Sequence, residues 1–224
     1  MEAILEVKNI SKTYGQGANA VVAVDSVSLA LNRGEVLLIM GPSGSGKTTL
    51  LSMMGCILTP SSGEVRIGGR DVGSLGEDAL PDVRRRHFGF VFQSFNLFPS
   101  LTAQENVELV LRLKGSAKTR LKQDSLALLD KVGLAKRATL YPADLSGGEK
   151  QRTALARALA GDPPIILADE PTANLDSRTG REVLALLRSL AEKSAKAIAI
   201  VSHDPKAEDL AHRVAVLEDG RLLP

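Results

Sequence analysis

Apolar and polar positions change their period twice along this chain. In the first third they read as strands: Ile4 to Ile10 is a short apolar run, Val27 to Leu31 alternates, and Asn32-Arg33-Gly34 turns the chain. Glu35 to Met40 is apolar after its first residue, as in a strand covered on both faces. It leads directly into a Gly/Ser-rich segment, and the spacing beyond predicts a helix from Lys47 to Ile57, ended by Pro60-Ser61-Ser62-Gly63. Glu64 to Ile67 with Gly68-Gly69 predicts an edge hairpin, and Phe88 to Phe92 a further strand.

From Gln93 to Ala160 the period becomes helical. Val107, Val110 and Leu111, then Leu126, Leu129 and Val132, recur three and four apart around the polar, basic stretch Lys114 to Lys122. This predicts a helical lobe inserted over residues 93–160. Strand–helix alternation then resumes: Ile165 to Ala168 with Arg178 to Glu192, Ala197 to Val201 with Pro205 to Ala211, and Arg213 to Glu218 closing on Asp219-Gly220. Such alternation predicts an α/β fold with a parallel, doubly wound sheet built from residues 1–92 and 161–224. No internal repeat or long linker interrupts it.

Composition narrows the class without naming a function. The 224 residues suit one domain with a small inserted lobe. Lys plus Arg (28) nearly balance Asp plus Glu (26), which argues against a nucleic-acid partner; Arg84-Arg85-Arg86-His87 is a local feature. A lone cysteine, Cys56, forms no intrachain disulfide and reads as a small buried hydrophobe in a reducing compartment. Met1-Glu2-Ala3-Ile4-Leu5-Glu6 places acids where a secretory leader needs a basic segment. No apolar run approaches the ~20 residues that span a bilayer, so membrane work would need another chain.

Gly41-Pro42-Ser43-Gly44-Ser45-Gly46-Lys47-Thr48-Thr49 fits G-x-x-x-x-G-K-[ST] at every fixed position, between a predicted strand and a predicted helix. Glycines let successive N–H groups curl around phosphate oxygens, the helix N-terminus adds its positive dipole end, Lys47 supplies charge, and the Thr48 hydroxyl suits Mg²⁺. A second carboxylate source stands at the end of the apolar run Ile165 to Ala168. There Asp169 would hold the metal and Glu170 would activate the attacking water. Leu145-Ser146-Gly147-Gly148-Glu149-Lys150-Gln151-Arg152 contains an S-x-x-E capping box, Ser146 to Glu149. Capping does not explain two glycines in the first turn, each costing up to about 1 kcal/mol of helix propensity. The bare backbone points to a second anion-binding helix N-terminus.

Taken in order, Tyr14, Gly41 to Thr48, Gln93, Leu145 to Gln151, Asp169-Glu170, Asn174-Leu175-Asp176 and Ser202-His203-Asp204 resemble the motifs of the ATP-binding cassette (ABC) ATPases over essentially the whole chain. The resemblance implies a P-loop core with an antiparallel β-subdomain on its N-terminal side, and ATP and Mg²⁺ as cofactors. It implies that Tyr14 stacks on adenine, that Gln93 touches the metal or water, and that His203 contacts the γ-phosphate. Ser146, Gly147, Gly148 and Glu149 would face ATP held by a second copy, with Asp176 in the loop between copies, so that the ATP-bound form is a homodimer. The partner implied is a separate integral membrane permease, which would hold this chain at the cytoplasmic face of the membrane.

Phe88 to Gln93, Asn96 to Pro99, Leu101 to Val107 and Ala168 to Thr172 are similar to the lipoprotein-release and macrolide-export branch. Ala173, where that branch often has Gly, and Glu149 and Lys150, where many cassettes have Gln, depart from the pattern without removing a catalytic group. Only 99 positions separate Lys47 from Ser146, too few for the coiled coil of chromosome-maintenance ATPases. A cell-division-type ATPase that signals mechanically and moves no substrate stays open as the alternative. In the loop after Gln93, the apolar Phe95, Leu97, Phe98 and Leu101 suggest either a partner surface or the lobe's own core.

Overall fold

β-branched and leucine-rich stretches build two sheets, with helices packed on both faces of the second. The computed structural model describes residues 3–223; Met1 and Glu2, part of the segment weighed against a leader, lie outside them, as does Pro224. β1 (Ala3–Tyr14) and β2 (Val21–Asn32) form a long antiparallel hairpin, registered from Ala3 opposite Asn32 to Tyr14 opposite Val21. β3 (Val36–Met40) and α1 (Lys47–Met54) follow, then β4 (Ser62–Ile67) and β5 (Arg70–Asp71) as the expected edge hairpin. These complete an antiparallel sheet of order β2-β1-β4-β5. The helix α1 stops short of Ile57 because Gly55 caps it and Cys56 turns into the left-handed region at φ 55°.

The basic run has a local cause that the apolar pattern did not reveal. It ends α2 (Leu80–His87), a helix with a proline in its first turn and Arg84, Arg85, Arg86 and His87 in its last, where cations meet the negative end of the helix dipole. The inserted helices are α3 (Ala103–Leu113), α4 (Leu121–Lys131) and α5 (Gly147–Ala158), set between β6 (Phe88–Val91) and β7 (Ile165–Asp169). After β7 come α6 (Ser177–Ser194), β8 (Ala197–Val201), β9 (Arg213–Glu218) and β10 (Arg221–Leu222). Residues Pro205–Leu210 form a 3₁₀ helix rather than an α-helix, begun by Pro205 and capped where Asp204 accepts from Lys206 N–H at 3.0 Å.

The second sheet has the order β10-β9-β3-β8-β7-β6, and its β9, β3, β8, β7 and β6 run parallel. Side-chain parity decides which core each residue joins. Leu37 and Ile39 of β3, Ile165 and Leu167 of β7, and Ala197, Ala199 and Val201 of β8 pack with Leu50 and Met53 of α1 and the antiparallel sheet. Val36, Leu38, Ile166, Ile198 and Ile200 face the other way, against Val107, Leu129, Leu155 and Leu187 of the helices. The inserted lobe thus shares one continuous apolar cluster with the sheet. Cys56 is buried, as its reading as a small hydrophobe requires, and burial pushes its thiol up to about 11.

Candidate functional site

Because the strands are parallel, their C-terminal ends share one edge of the sheet. The P-loop leaves β3 there, His203 follows β8, Asp169 and Glu170 end β7, and Gln93 follows β6. This is the edge where open α/β sheets bind ligands. A cleft of about 720 Å³ collects Ser43, Lys47, Thr48, Gln93, Glu170 and His203 among its walls.

Backbone geometry explains the glycines of the P-loop. Gly46 caps α1 at φ 97°, and a Cβ there would lie 2.1 Å from Ala23 O; at Gly41 it would lie 2.0 Å from Leu217 O. No other residue lets the loop close so tightly against β2 and β9. Lys47 is buried, and its Nζ donates to Gly41 O at 2.8 Å and Pro42 O at 2.7 Å. The ammonium is therefore held inside the loop whose N–H groups would receive phosphate. In the same loop Ser45 Oγ is buried with no hydrogen-bond partner among the described residues. Pro42, Gly44 and Thr49 line the cleft as well.

Parity along β7 sends Asp169 to the same face as Ile165 and Leu167, the face on which α1 lies, and Thr48 Oγ1 donates to Asp169 Oδ1 at 3.1 Å. Burial raises the Asp169 carboxyl above its ordinary value, with neighbouring Glu170 adding to the rise and the Thr48 hydroxyl and Lys47 working against it. Glu170 sits at φ 46°, a left-handed conformation unusual for a residue with a side chain, fixed by its N–H donating to Val201 O at 2.9 Å. One carboxylate oxygen shares a 2.7 Å hydrogen bond with His203 Nδ1, and Ser202 Oγ donates to the other at 3.4 Å. The sequence names the acid; the turn that aims it is a product of the fold.

Tyr14 lies apart from the cleft walls. It is 44% exposed at the end of β1, beyond Ala23 of the adjacent strand, which does line the cleft. Lys12 Nζ stands 5.7 Å from the centre of its ring.

None of Ser146, Gly147, Gly148 or Glu149 lines the P-loop cleft. The predicted capping box is present: Ser146 Oγ accepts from Glu149 N–H at 3.3 Å and Glu149 Oε2 from Ser146 N–H at 2.9 Å. The glycine pair also has a packing reason within the chain, since a Cβ on Gly148 would come within 2.2 Å of Thr179 Cγ2 on α6. Asp176 caps α6, accepting from the N–H groups of Arg178 at 3.0 Å and Thr179 at 3.1 Å.

Two buried organisers of the loop after Gln93, Asn106 and Arg157, are given no role by the motifs legible in the sequence. Asn106 accepts from Phe98 N–H and donates to the carbonyls of Phe98, Leu101 and Thr102, while Arg157 of α5 donates to Phe95 O and Asn96 O. Their polar side chains at apolar-looking helix positions were the available signal. Between this loop, α2 and α3 runs an apolar groove of about 620 Å³ whose walls include Phe90, Phe92, Phe98 and Leu113. Phe98 is 49% exposed in it, and Lys114, brought down to about 8 by burial, donates to Phe88 O at its base.

Comparison with known proteins agrees with this architecture. Residues 24–173 match the family model described as ABC transporter. The chain is 44% identical over 223 residues to the macrolide export ATP-binding/permease protein MacB of Photorhabdus laumondii, and 43% identical over 220 residues to MacB of Burkholderia pseudomallei. The matches cover 100% and 98% of this chain but 34% of each relative, so the chain spans about a third of their length. Among solved structures it is similar to dimeric MJ0796, a bacterial ABC transporter cassette, with a TM-score of 0.91 and 43% identity over 98% of this chain and 97% of that one. A post-hydrolysis dimer of the same cassette bound to ADP and Pi superposes with a TM-score of 0.90, at the same identity and coverage. Fold, motif order and these relatives agree, and the chain belongs to the ABC transporter family.

Proposed function

We propose that this chain is the ATP-hydrolysing subunit of an ABC transporter, converting ATP-driven pairing of two copies into movement of a separate integral membrane permease, in export or lipoprotein release. The observation that carries this reading is the separation of two helix N-termini: that of α1 opens into the P-loop cleft, and that of α5 does not. A cleft with one phosphate-binding wall is completed when a second copy brings its Ser146, Gly147 and Gly148 across it.

Lys47 leaves its carbonyl partners for the β- and γ-phosphates, a stronger charge-assisted contact. The residues fit Mg²⁺. Thr48 and Asp169 set two hard oxygens side by side, and the half-buried Asp169 carboxyl gains from an adjacent cation. Among the described residues no three His, Cys, Asp or Glu side chains form a metal cluster, so phosphate and water would supply the remaining ligands, as Mg²⁺ prefers. Bound there, Mg²⁺ supplies neutralisation of phosphate charge. Glu170 orients a water whose oxygen attacks the γ-phosphorus, takes its proton, and the bond to the ADP oxygen breaks. His203 exchanges its bond to Glu170 for one to the γ-phosphate, Tyr14 stacks on adenine, and Asp176 lies near the seam between copies. Gln93 spans the cleft and the loop beside the apolar groove, where the permease docks and holds the chain at the cytoplasmic face.

Assembly tests this. The Glu170→Gln protein with ATP is expected to elute as a dimer and with ADP as a monomer, by chromatography with light scattering. Ser146→Arg, added to it, blocks pairing while the P-loop still binds ATP; a double variant that still pairs with ATP removes the second N-terminus from the mechanism.

A further inference from the structure

The acid at the start of α5 poses an electrostatic problem. Glu149 Oε2 accepts from Ser146 N–H at 2.9 Å, which sets the carboxylate against the N-terminal end of the helix. That N–H, the strongest influence on it, holds the Glu149 carboxyl below the usual carboxylate range, so it is ionised at neutral pH. A glutamine at this position would close the same capping box without charge. An anion placed here stabilises the helix but repels any second anion approaching the same end.

The structure supplies a counter-charge. Arg137 ends the 3₁₀ turn Ala135–Arg137, and its Nε donates to the other carboxylate oxygen, Glu149 Oε1, at 2.9 Å. The Glu149 side chain is 18% exposed and that of Arg137 55%. One face of the guanidinium is thus left to solvent while the acid is enclosed between its cap and its cation.

We propose that Arg137 is a positioning residue for the ATP-bound dimer: by neutralising and fixing Glu149 it keeps the α5 N-terminus attractive to the γ-phosphate held by a second copy. This rests on the reading that α5 meets ATP across the dimer. The Arg137 side chain is mostly at the surface, where an ion pair contributes little to folding, so removing it leaves the chain folded and the effect appears in pairing.

The test uses the full chain in the Glu170→Gln background, with ATP-dependent dimerisation followed by sedimentation and ATP binding to the monomer measured separately. Arg137→Met is expected to weaken dimerisation by roughly tenfold, the scale of one uncompensated charge in a partly shielded site. Arg137→Lys retains a cation and most of the affinity. Adding Glu149→Gln to Arg137→Met restores dimerisation to the level of Glu149→Gln alone, which a packing role for the arginine would not allow. Undiminished pairing in Arg137→Met, no rescue by Glu149→Gln, equal losses with Met and Lys, or a parallel loss of monomer ATP binding each overturn the proposal. If the Glu170→Gln parent itself stays monomeric with ATP, the cross-dimer reading fails, and the role for Arg137 fails with it.

Discussion

Thr48 Oγ1 and Asp169 Oδ1 lie 3.1 Å apart although the residues are 121 positions apart in sequence. The first sits in the opening turn of α1 and the second on the α1-facing side of β7. Their contact joins the phosphate loop to the acid strand, and it is the only hydrogen bond that the Asp169 side chain makes among the described residues.

Asp169→Asn should stabilise the nucleotide-free protein. Burial raises the folded pKa of Asp169 above its unfolded value, so the folded state holds the proton more tightly. Stability from this group is present below the unfolded pKa and falls as pH rises through the folded one; at neutral pH the ionised, partly buried carboxylate is a net cost. Removing it should raise stability at pH 7 and, because its contribution runs opposite to that of the carboxyls the fold holds low, such as Glu35 and Glu149, steepen the loss of stability toward acid pH. The same variant should lose the extra thermal stabilisation that Mg²⁺ adds to ATP. Melting curves across pH, with and without Mg²⁺-ATP, check both; an unchanged Mg²⁺ effect would remove Asp169 from the metal site.

Lys47→Ala and Glu170→Gln should both abolish turnover, by different routes. The first deletes a charge-assisted phosphate contact and should weaken ATP binding by about 10- to 100-fold, whereas the second retains size and polarity and loses only the proton acceptor. Equilibrium binding of a fluorescent ATP analogue separates them. Equal loss of binding in the two variants would show that Glu170 also holds nucleotide.

Gly148→Ala should destabilise the protein by about 1–3 kcal/mol, because the new methyl would overlap Thr179 Cγ2 and the Thr179 side chain or its helix must shift. Thr179→Ser deletes that methyl and leaves the backbone N–H that Asp176 caps. The double variant should recover most of the loss in denaturant unfolding, a coupling that a double-mutant cycle reads directly. Additive losses would assign the glycine to phosphate approach alone.

The elements that a residue's immediate neighbours dictate were legible in the chain. The continuous apolar run of β3, the glycines and lysine after it, the capping box at Ser146 and the Asp169-Glu170 pair all lie where their spacing placed them. Each rests on local physics: strand burial, glycine dihedrals, a helix cap. Helix ends were less legible. Cys56 turns left-handed to stop α1, and the basic run Arg84 to His87, legible only as a local feature, is the last turn of a helix.

What only the tertiary structure decided are relationships between distant segments. Strand order brings Gln93, Glu170, His203 and the P-loop to one edge, and no local pattern encodes which parallel strands become neighbours. The left-handed turn at Glu170 is held by Val201 O from β8, and the grip of Arg157 on the carbonyls of Phe95 and Asn96 spans the inserted lobe. The pairing of Arg137 with Glu149 likewise depends on how the turn before α5 packs against it. Hydrophobic period fixes which face of a strand or helix is buried; the close packing of those faces against one another selects the partner each polar group meets.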